Sequence, residues 1–193
     1  MKHLWNHKIA AIDVETTGLI AGYHEIIQIG VVPLDNTLKP DAAPFYTNVR
    51  PCFPERMDIE AMSVNRLDYE ALMDAPPQDR VIDLLTEWIE RLNLPHGGRL
   101  IPLSHNWTFE KSFLTAWLGP KGLDGLFHGH ARDSMAYALS VKDKYALRGK
   151  MTPFDSVSLP SLGEYFSIIN ENPHDALEDA KAGAAVYKAL LEM

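Results

Sequence analysis

The chain has 193 residues, 46% of them hydrophobic and 23% charged, an ordinary globular composition long enough for one domain over residues 1–193 with a real core. Its one cysteine, Cys52, excludes an internal disulfide and thiolate-rich metal sites. The net charge of −8 argues against broad coating of nucleic acid, which calls for a basic surface, but leaves room for a small site that holds one strand end through cations.

The first element is a strand over residues 8–14, "KIAAIDV". The apolar run is too short for a targeting segment, and Asp13 ends it. No apolar stretch in the chain approaches the ~20 residues of a membrane span. A soluble cytoplasmic protein without membrane contact is the expectation. Residues two apart on a strand share a face, so Asp13 and Glu15 continue the face of Ile9 and Ala11. Two like charges on a half-buried face repel, and burial adds a desolvation cost. Thr16, Thr17, Gly18 and Gly22 then supply turn chemistry.

A strongly apolar strand follows over residues 25–34, close enough to the first to imply an antiparallel pair. Residues 44–51, bracketed by prolines, read as a third strand. "VIDLLTEWIERL" places Val81, Leu84, Leu85, Trp88, Ile89 and Leu92 on one helical stripe. A short buried strand, residues 99–104, feeds a helix over residues 108–118 whose stripe is Phe109, Phe113, Ala116 and Trp117. Residues 134–160 start helical and then become a mobile, basic connection carrying Lys142, Lys144, Arg148 and Lys150, a plausible strand-holding patch. A last helix runs over residues 176–191. The order predicts an α/β sheet with an antiparallel hairpin in front and parallel strands behind.

The last helix carries a third notable acid. Asp175 reads as its N-cap, with Glu178 completing a capping box. The inward stripe then holds Ala176, Asp179, Gly183, Val186 and Leu190, so Asp179 falls among small and apolar residues. Singly, each acid has a bland reading: an ion pair, backbone amides or a solvated turn. Together, two acids on one strand face and one on an inward helix face can converge on divalent cations, and Mg²⁺ and Mn²⁺ prefer carboxylate and water oxygens. Two such ions about 4 Å apart serve phosphodiester hydrolysis. His174, five residues before Asp179, can accept a proton from water near neutral pH.

The blocks "DVETTG", "HNWTFEKSFL" and "HDALEDA" resemble, in order, those of the DEDDh 3′–5′ exonucleases, which include polymerase proofreading subunits and ribonuclease T. The resemblance covers residues 9–191. It implies a ribonuclease H-like fold, a five-stranded mixed sheet of order 3-2-1-4-5 with strand 2 antiparallel, flanked by helices. It further implies two divalent cations, Mg²⁺ or Mn²⁺, held by Asp13, Glu15, Asp179 and Glu110, with His174 as general base. Thr16, Thr17, Gly18, Asn106 and Trp107 would line the substrate. The implied reaction releases 5′-mononucleotides from the 3′ end of single-stranded nucleic acid, with DNA favoured and RNA allowed. A polymerase partner or a homodimer also accords with the family. Phe109 is expected in the core and Asp133 as a helix cap. The family's second block ends in Asp where this chain has Glu110, a longer arm with the same charge. The alternatives are a catalytically weakened module that binds nucleic acid or a polymerase, and a haloacid dehalogenase-like phosphatase, which Glu15 and the early second strand fit poorly.

Overall fold

The structure, a computed structural model, describes Leu4 and residues 6–193. The reading of the first residues as lacking a targeting segment falls partly outside that range. Five strands form the frame: β1 (Lys8–Thr16), β2 (Ile26–Pro33), β3 (Phe45–Asn48), β4 (Leu100–Ser104) and β5 (Arg132–Asp133). Their order is β3-β2-β1-β4-β5. β1 and β2 are antiparallel, as are β2 and β3, whereas β4 runs parallel to β1 and β5 parallel to β4. The predicted order and the antiparallel hairpin are both present.

Every residue of β2 is buried, and β1 is buried on both faces along nearly its whole length. That is what continuous apolar runs produce when helices cover both sides of a sheet. One face of β1 (Ala10, Ile12 and Val14) packs on α3 (Gln78–Arg91) and α4 (Trp107–Leu126) through Val81, Leu85, Trp88, Phe113 and Leu114. The other (Ile9 and Ala11) packs with Ile101 and Leu103 of β4 on α7 (Ala176–Leu191), through Ala180, Ala184 and Tyr187. A third cluster joins α5 (Ser134–Ala146), α6 (Leu159–Phe166) and α7 through Ala138, Leu162, Val186 and Leu190.

Three helices differ from the sequence reading. α1 (Ile59–Asn65) and α2 (Tyr69–Met73) fill the stretch after β3, and each is started by an aspartate, Asp58 or Asp68, that accepts backbone N–H groups. Elements this short carry too few turns for a readable period. α6, capped by Ser158, has no counterpart in the sequence reading; only its first two residues fall within residues 134–160. Lys142 and Lys144 belong to α5, not to a loop, and Lys142 Nζ donates to the Asp155 carbonyl. α4 also continues past the expected end, across a break at Gly119 (φ 71°) and Pro120.

The sheet and α7 approach closely at Gly30. It pairs with Asp13 of β1 on one side and Tyr46 of β3 on the other. A Cβ there would lie 2.5 Å from the Ala176 carbonyl oxygen and 2.6 Å from the Leu177 nitrogen. The first turn of α7 therefore rests directly on the strand backbone. Gly30→Val is expected to destabilise the protein by about 2–3 kcal/mol and to lower Tm by roughly 5–10 °C. An unchanged melting curve would mean that α7 lifts from the sheet at no cost.

Candidate active site

β1 ends in a bulge: Glu15 pairs with Gln28, but Thr16 pairs with Ile26. Such an irregularity re-aims side chains at a strand end. The following turn is pinned from three sides. Thr16 Oγ donates to the Gly18 carbonyl at 2.7 Å, and the Thr16 carbonyl accepts from Asn65 of α1 at 2.8 Å. The Thr17 hydroxyl accepts from the Glu25 N–H at 2.9 Å, and its carbonyl accepts from Asp58 N–H. Gly18 lies against the His24 ring, with no room for a Cβ.

Around this strand end the structure gathers the predicted acids. Asp13 borders a cavity of about 520 Å³ together with Glu110 of α4 and Asp179 of α7. Oxygens of Glu15 and Asp179 and a ring nitrogen of His174 lie within 4.8 Å of one another. Glu110 is only 4% exposed, and its Oε2 accepts from the Ser104 hydroxyl at 3.1 Å. Asp179 accepts from Asn170 Nδ2 and from the His174 N–H. Among the described residues the ion pairs lie elsewhere: Lys8 with Asp41, Arg80 with Glu87 and Lys181 with Glu178. Glu178 thus turns to Lys181 instead of closing the expected capping box.

His174 stands between two cavities. The larger is lined by Asp13, Glu110 and Asp179 and has an apolar wall from Leu159 and Gly163 of α6 and from Ile168 and Ile169. The smaller, about 330 Å³, lies between Glu15, Thr16, Leu19, Phe109 and residues of α1. Asn106 borders the larger cavity and Thr16 the smaller. Thr17 is wholly buried and shapes the turn from behind. Trp107 packs half-buried on the core and borders neither cavity. Phe109 does both, stacking on Phe113 with ring centroids 4.9 Å apart while walling the smaller cavity. Asp133 is the expected cap, but of two helices: it accepts from Ala136 N–H in α5 and from Trp107 N–H at the start of α4.

Sequence reasoning missed Asn170 and the α1 and α6 walls. It also missed Gln28, whose signal was available: one polar residue inside an apolar strand.

The profile of an exonuclease family matches residues 10–187. The chain belongs to this exonuclease family. Its motif order places it in the DEDDh 3′–5′ branch. It is 28% identical over 185 residues to a PolC-type DNA polymerase III of Caldanaerobacter subterraneus, a match covering 96% of this chain and 12% of the relative. A PolC-type polymerase of Staphylococcus aureus is 23% identical over 180 residues, covering 93% of this chain and 11% of that protein. The chain therefore spans only about an eighth of the curated relatives it matches. Among solved structures, Escherichia coli exonuclease I in complex with a dT13 oligonucleotide superposes with a TM-score of 0.69 at 16% identity, over 95% of this chain and 40% of that one. A 3′-exonuclease in a structure of 3′-end recognition of histone mRNA stem-loop superposes with a TM-score of 0.66 at 20% identity, over 96% and 81% of the two chains. Those likenesses establish the shared fold.

The electrostatics of this site follow first from burial and then from crowding. Burial, reinforced by Glu110, Glu15 and Asp179, holds the Asp13 carboxyl well above the usual range. Burial and then Asp179 push Glu15 up to about 7. Burial pushes Glu110 up to about 8, despite the opposing Ser104 hydrogen bond. Asp179 is also raised by burial, against the hydrogen bonds from Asn170 and His174. Oxygen-rich, mutually repelling and, among the described residues, without an ion-paired lysine or arginine, the set fits hard divalent cations.

A carboxyl whose folded pKa exceeds its unfolded value leaves stability intact below the unfolded value and removes it as pH rises through the folded one. For Glu15 and Glu110 that window opens near 4.5 and closes at about 7 to 8. In chelator, Tm should therefore fall between about pH 5 and pH 8. Asp13→Asn should raise it by ~3 °C at the upper end, as expected for relief of about 1 kcal/mol of repulsion. Added divalent cation should restore the wild type. A Tm that climbs across this range, followed by calorimetry, would mean that other groups already neutralise the acids.

Proposed function

We propose that the chain is a divalent-cation-dependent 3′–5′ exonuclease that cleaves the terminal phosphodiester of single-stranded nucleic acid, DNA in preference to RNA, and releases 5′-mononucleotides. The observation that carries this reading is the gathering of Asp13, Glu15, Glu110 and Asp179 around the end of β1 with, among the described residues, no lysine or arginine paired to them and His174 at their edge. Two bound Mg²⁺ or Mn²⁺ ions would supply Lewis acidity to the attacking water and to the leaving oxygen.

The four carboxylates would hold those ions. The His174 imidazole, bordering both cavities, accepts the proton of the attacking water. Thr16, the carbonyl-pinned turn at Gly18, and Phe109 shape the smaller cavity for a terminal nucleotide, with Phe109 offering a ring face to a base. Thr17 acts through that turn. Asn106 presents its amide to the larger cavity and Trp107 braces the start of α4. The structural neighbours described with a dT13 oligonucleotide and with a histone mRNA stem-loop support a nucleic-acid 3′ end as ligand. The curated relatives are polymerases that match this chain over about a tenth of their length, which supports a polymerase as its working partner.

The comparison of 3′-labelled with 5′-labelled single-stranded DNA and RNA tests the reading. Mononucleotide release from the labelled 3′ end in Mg²⁺, abolished by chelator, is expected. His174→Ala should lower kcat by ~10²–10⁴-fold with KM little changed. Full turnover in chelator would dispose of the cation requirement, and an unchanged kcat would remove His174 from the proton step.

The rival reading, a weakened module that binds without cutting, rests on Glu110. Against it, the longer arm is accommodated: the carboxylate is buried, bonded to Ser104 and close enough to raise Asp13. Glu110→Asp should retain activity while shifting the balance between Mg²⁺ and Mn²⁺, since Mg²⁺ tolerates less distortion. Glu110→Gln, which keeps size and loses charge, should cut turnover sharply. The reverse order of effects, read by steady-state kinetics in each metal, would favour the binding module.

A further inference from the structure

His174 occupies a left-handed backbone conformation, with φ +66°. A non-glycine residue persists there only when its surroundings over-determine it. The surroundings on its C-terminal side form a connected polar network across the outer half of the sheet.

Gln28 is directly opposite Glu15 in the β1–β2 register and opposite Asn48 in the β2–β3 register. It is 2% exposed, and every polar atom of its amide is used. Oε1 accepts from the Ala176 N–H at 2.8 Å. Nε2 donates to Asn48 Oδ1 at 2.9 Å and to the Tyr46 hydroxyl at 3.1 Å. The main-chain N–H can only donate, which fixes the orientation of the amide. The Tyr46 hydroxyl in turn donates to Asp175 Oδ2, while Asp175 Oδ1 accepts from the Leu177 and Glu178 N–H groups.

Two consecutive residues after His174 are thereby fastened to the sheet, Asp175 by its side chain and Ala176 by its backbone. On the other side, the His174 N–H donates to Asp179 Oδ2 at 3.3 Å. Gly30 leaves the space in which this joint seats. A glutamate at position 28 would keep the acceptor for Ala176 but lose both donors, and it would face Glu15. The neutral amide satisfies all three partners.

We infer that Gln28 and Tyr46 are positioning residues that fix the His174 imidazole relative to the carboxylates by clamping Asp175 and Ala176 to β2 and β3. Among the described residues, neither hydrogen-bonds to Asp13, Glu15, Glu110 or Asp179. Both act through the turn. The kinetic part of this inference rests on the reading of His174 as proton acceptor. The positional part does not.

The test uses Tyr46→Phe, Gln28→Leu and Gln28→Glu in the full chain. The His174 imidazole proton resonance, assigned by its loss in His174→Ala, should shift in Tyr46→Phe and Gln28→Leu. The other histidine signals should stay in place. With Mg²⁺ and a 3′-labelled single-stranded DNA, Tyr46→Phe should lower kcat by about 10–100-fold, in keeping with the cost of a small misplacement. KM should stay within about twofold. Gln28→Glu should recover at most part of what Gln28→Leu loses, because Ala176 keeps its acceptor while Asn48 and Tyr46 lose their donor and Glu15 gains a like-charged neighbour. In a His174→Ala background, Tyr46→Phe should cost nothing further. Equal losses in both backgrounds would overturn the inference, as would an unmoved His174 signal. Tyr46 lies on a half-exposed edge strand, so its variant decides the matter if Gln28→Leu does not fold. An inactive wild type would sink the nuclease reading instead, and the resonance alone would then decide the positional one.

Discussion

The molecule depends on a repulsion that it does not resolve with its own side chains. Four carboxylates from β1, α4 and α7 are held around one strand end, and the lysines and arginines in ion pairs bind other acids. A flexible surface would let these groups separate into water. Here each is carried by an element packed on the sheet, so separation would mean breaking a core. Asp13 and Glu15 extend the face that packs Ile9 and Ala11 on α7, Asp179 lies one position before the buried Ala180, and Glu110 is one turn from the buried Phe113 and Leu114. The hydrophobic contacts on both faces thus oppose the electrostatics at the edge, a conflict that a bound cation would relieve.

The rest of the site is arranged to keep that edge rigid while leaving it open. The turn after β1 is fastened to β2 and α1 by backbone hydrogen bonds and by Asn65, so the smaller cavity has a firm wall. Asp133 starts α5 and α4 with one carboxylate, which ties the helix bearing Glu110 to the strand end beside it. Leu159, Pro160, Ile168, Ile169 and Pro173 close the far side of the larger cavity with apolar side chains, beside Glu164 and Asn170.

How much of this was legible in the sequence depended on the range of the interaction. The hairpin of β1 and β2 and the helices α3 and α7 were readable because long apolar periods record burial directly. The acids were readable because Asp13 and Glu15 break a strand pattern and Asp179 breaks a helix stripe. α1, α2 and α6 were not, since each is short and depends on an aspartate or serine cap plus tertiary contact. In residues 134–160 the helical start and the irregular stretch over 147–158 were legible, but the cations drew Lys142 and Lys144 into the connection, whereas α5, held by Ala138 and Val141 against α7, runs to Ala146. Gln28 was visible as an anomaly but not as a function, because its partners Tyr46 and Ala176 are 18 and 148 residues away.

The placement of the basic run limits the role it can take. α5 starts at the site, where the Ser134 hydroxyl meets His105 Nδ1 at 2.8 Å. A helix rises 1.5 Å per residue, so Lys144 lies roughly 15 Å further along its axis. Lys142 is already engaged with the Asp155 carbonyl. Cations at that remove cannot neutralise the scissile phosphate, and they leave the acid cluster uncompensated. A strand that touched both would have to run along α5, with several nucleotides between the terminal phosphate and the first lysine. Under the proposed function, the charge that meets the reacting phosphate would therefore arrive with bound ions. That division, with ions at the chemistry and any side-chain cations well upstream, is consistent with a chain of net charge −8 that handles a polyanion only at its end.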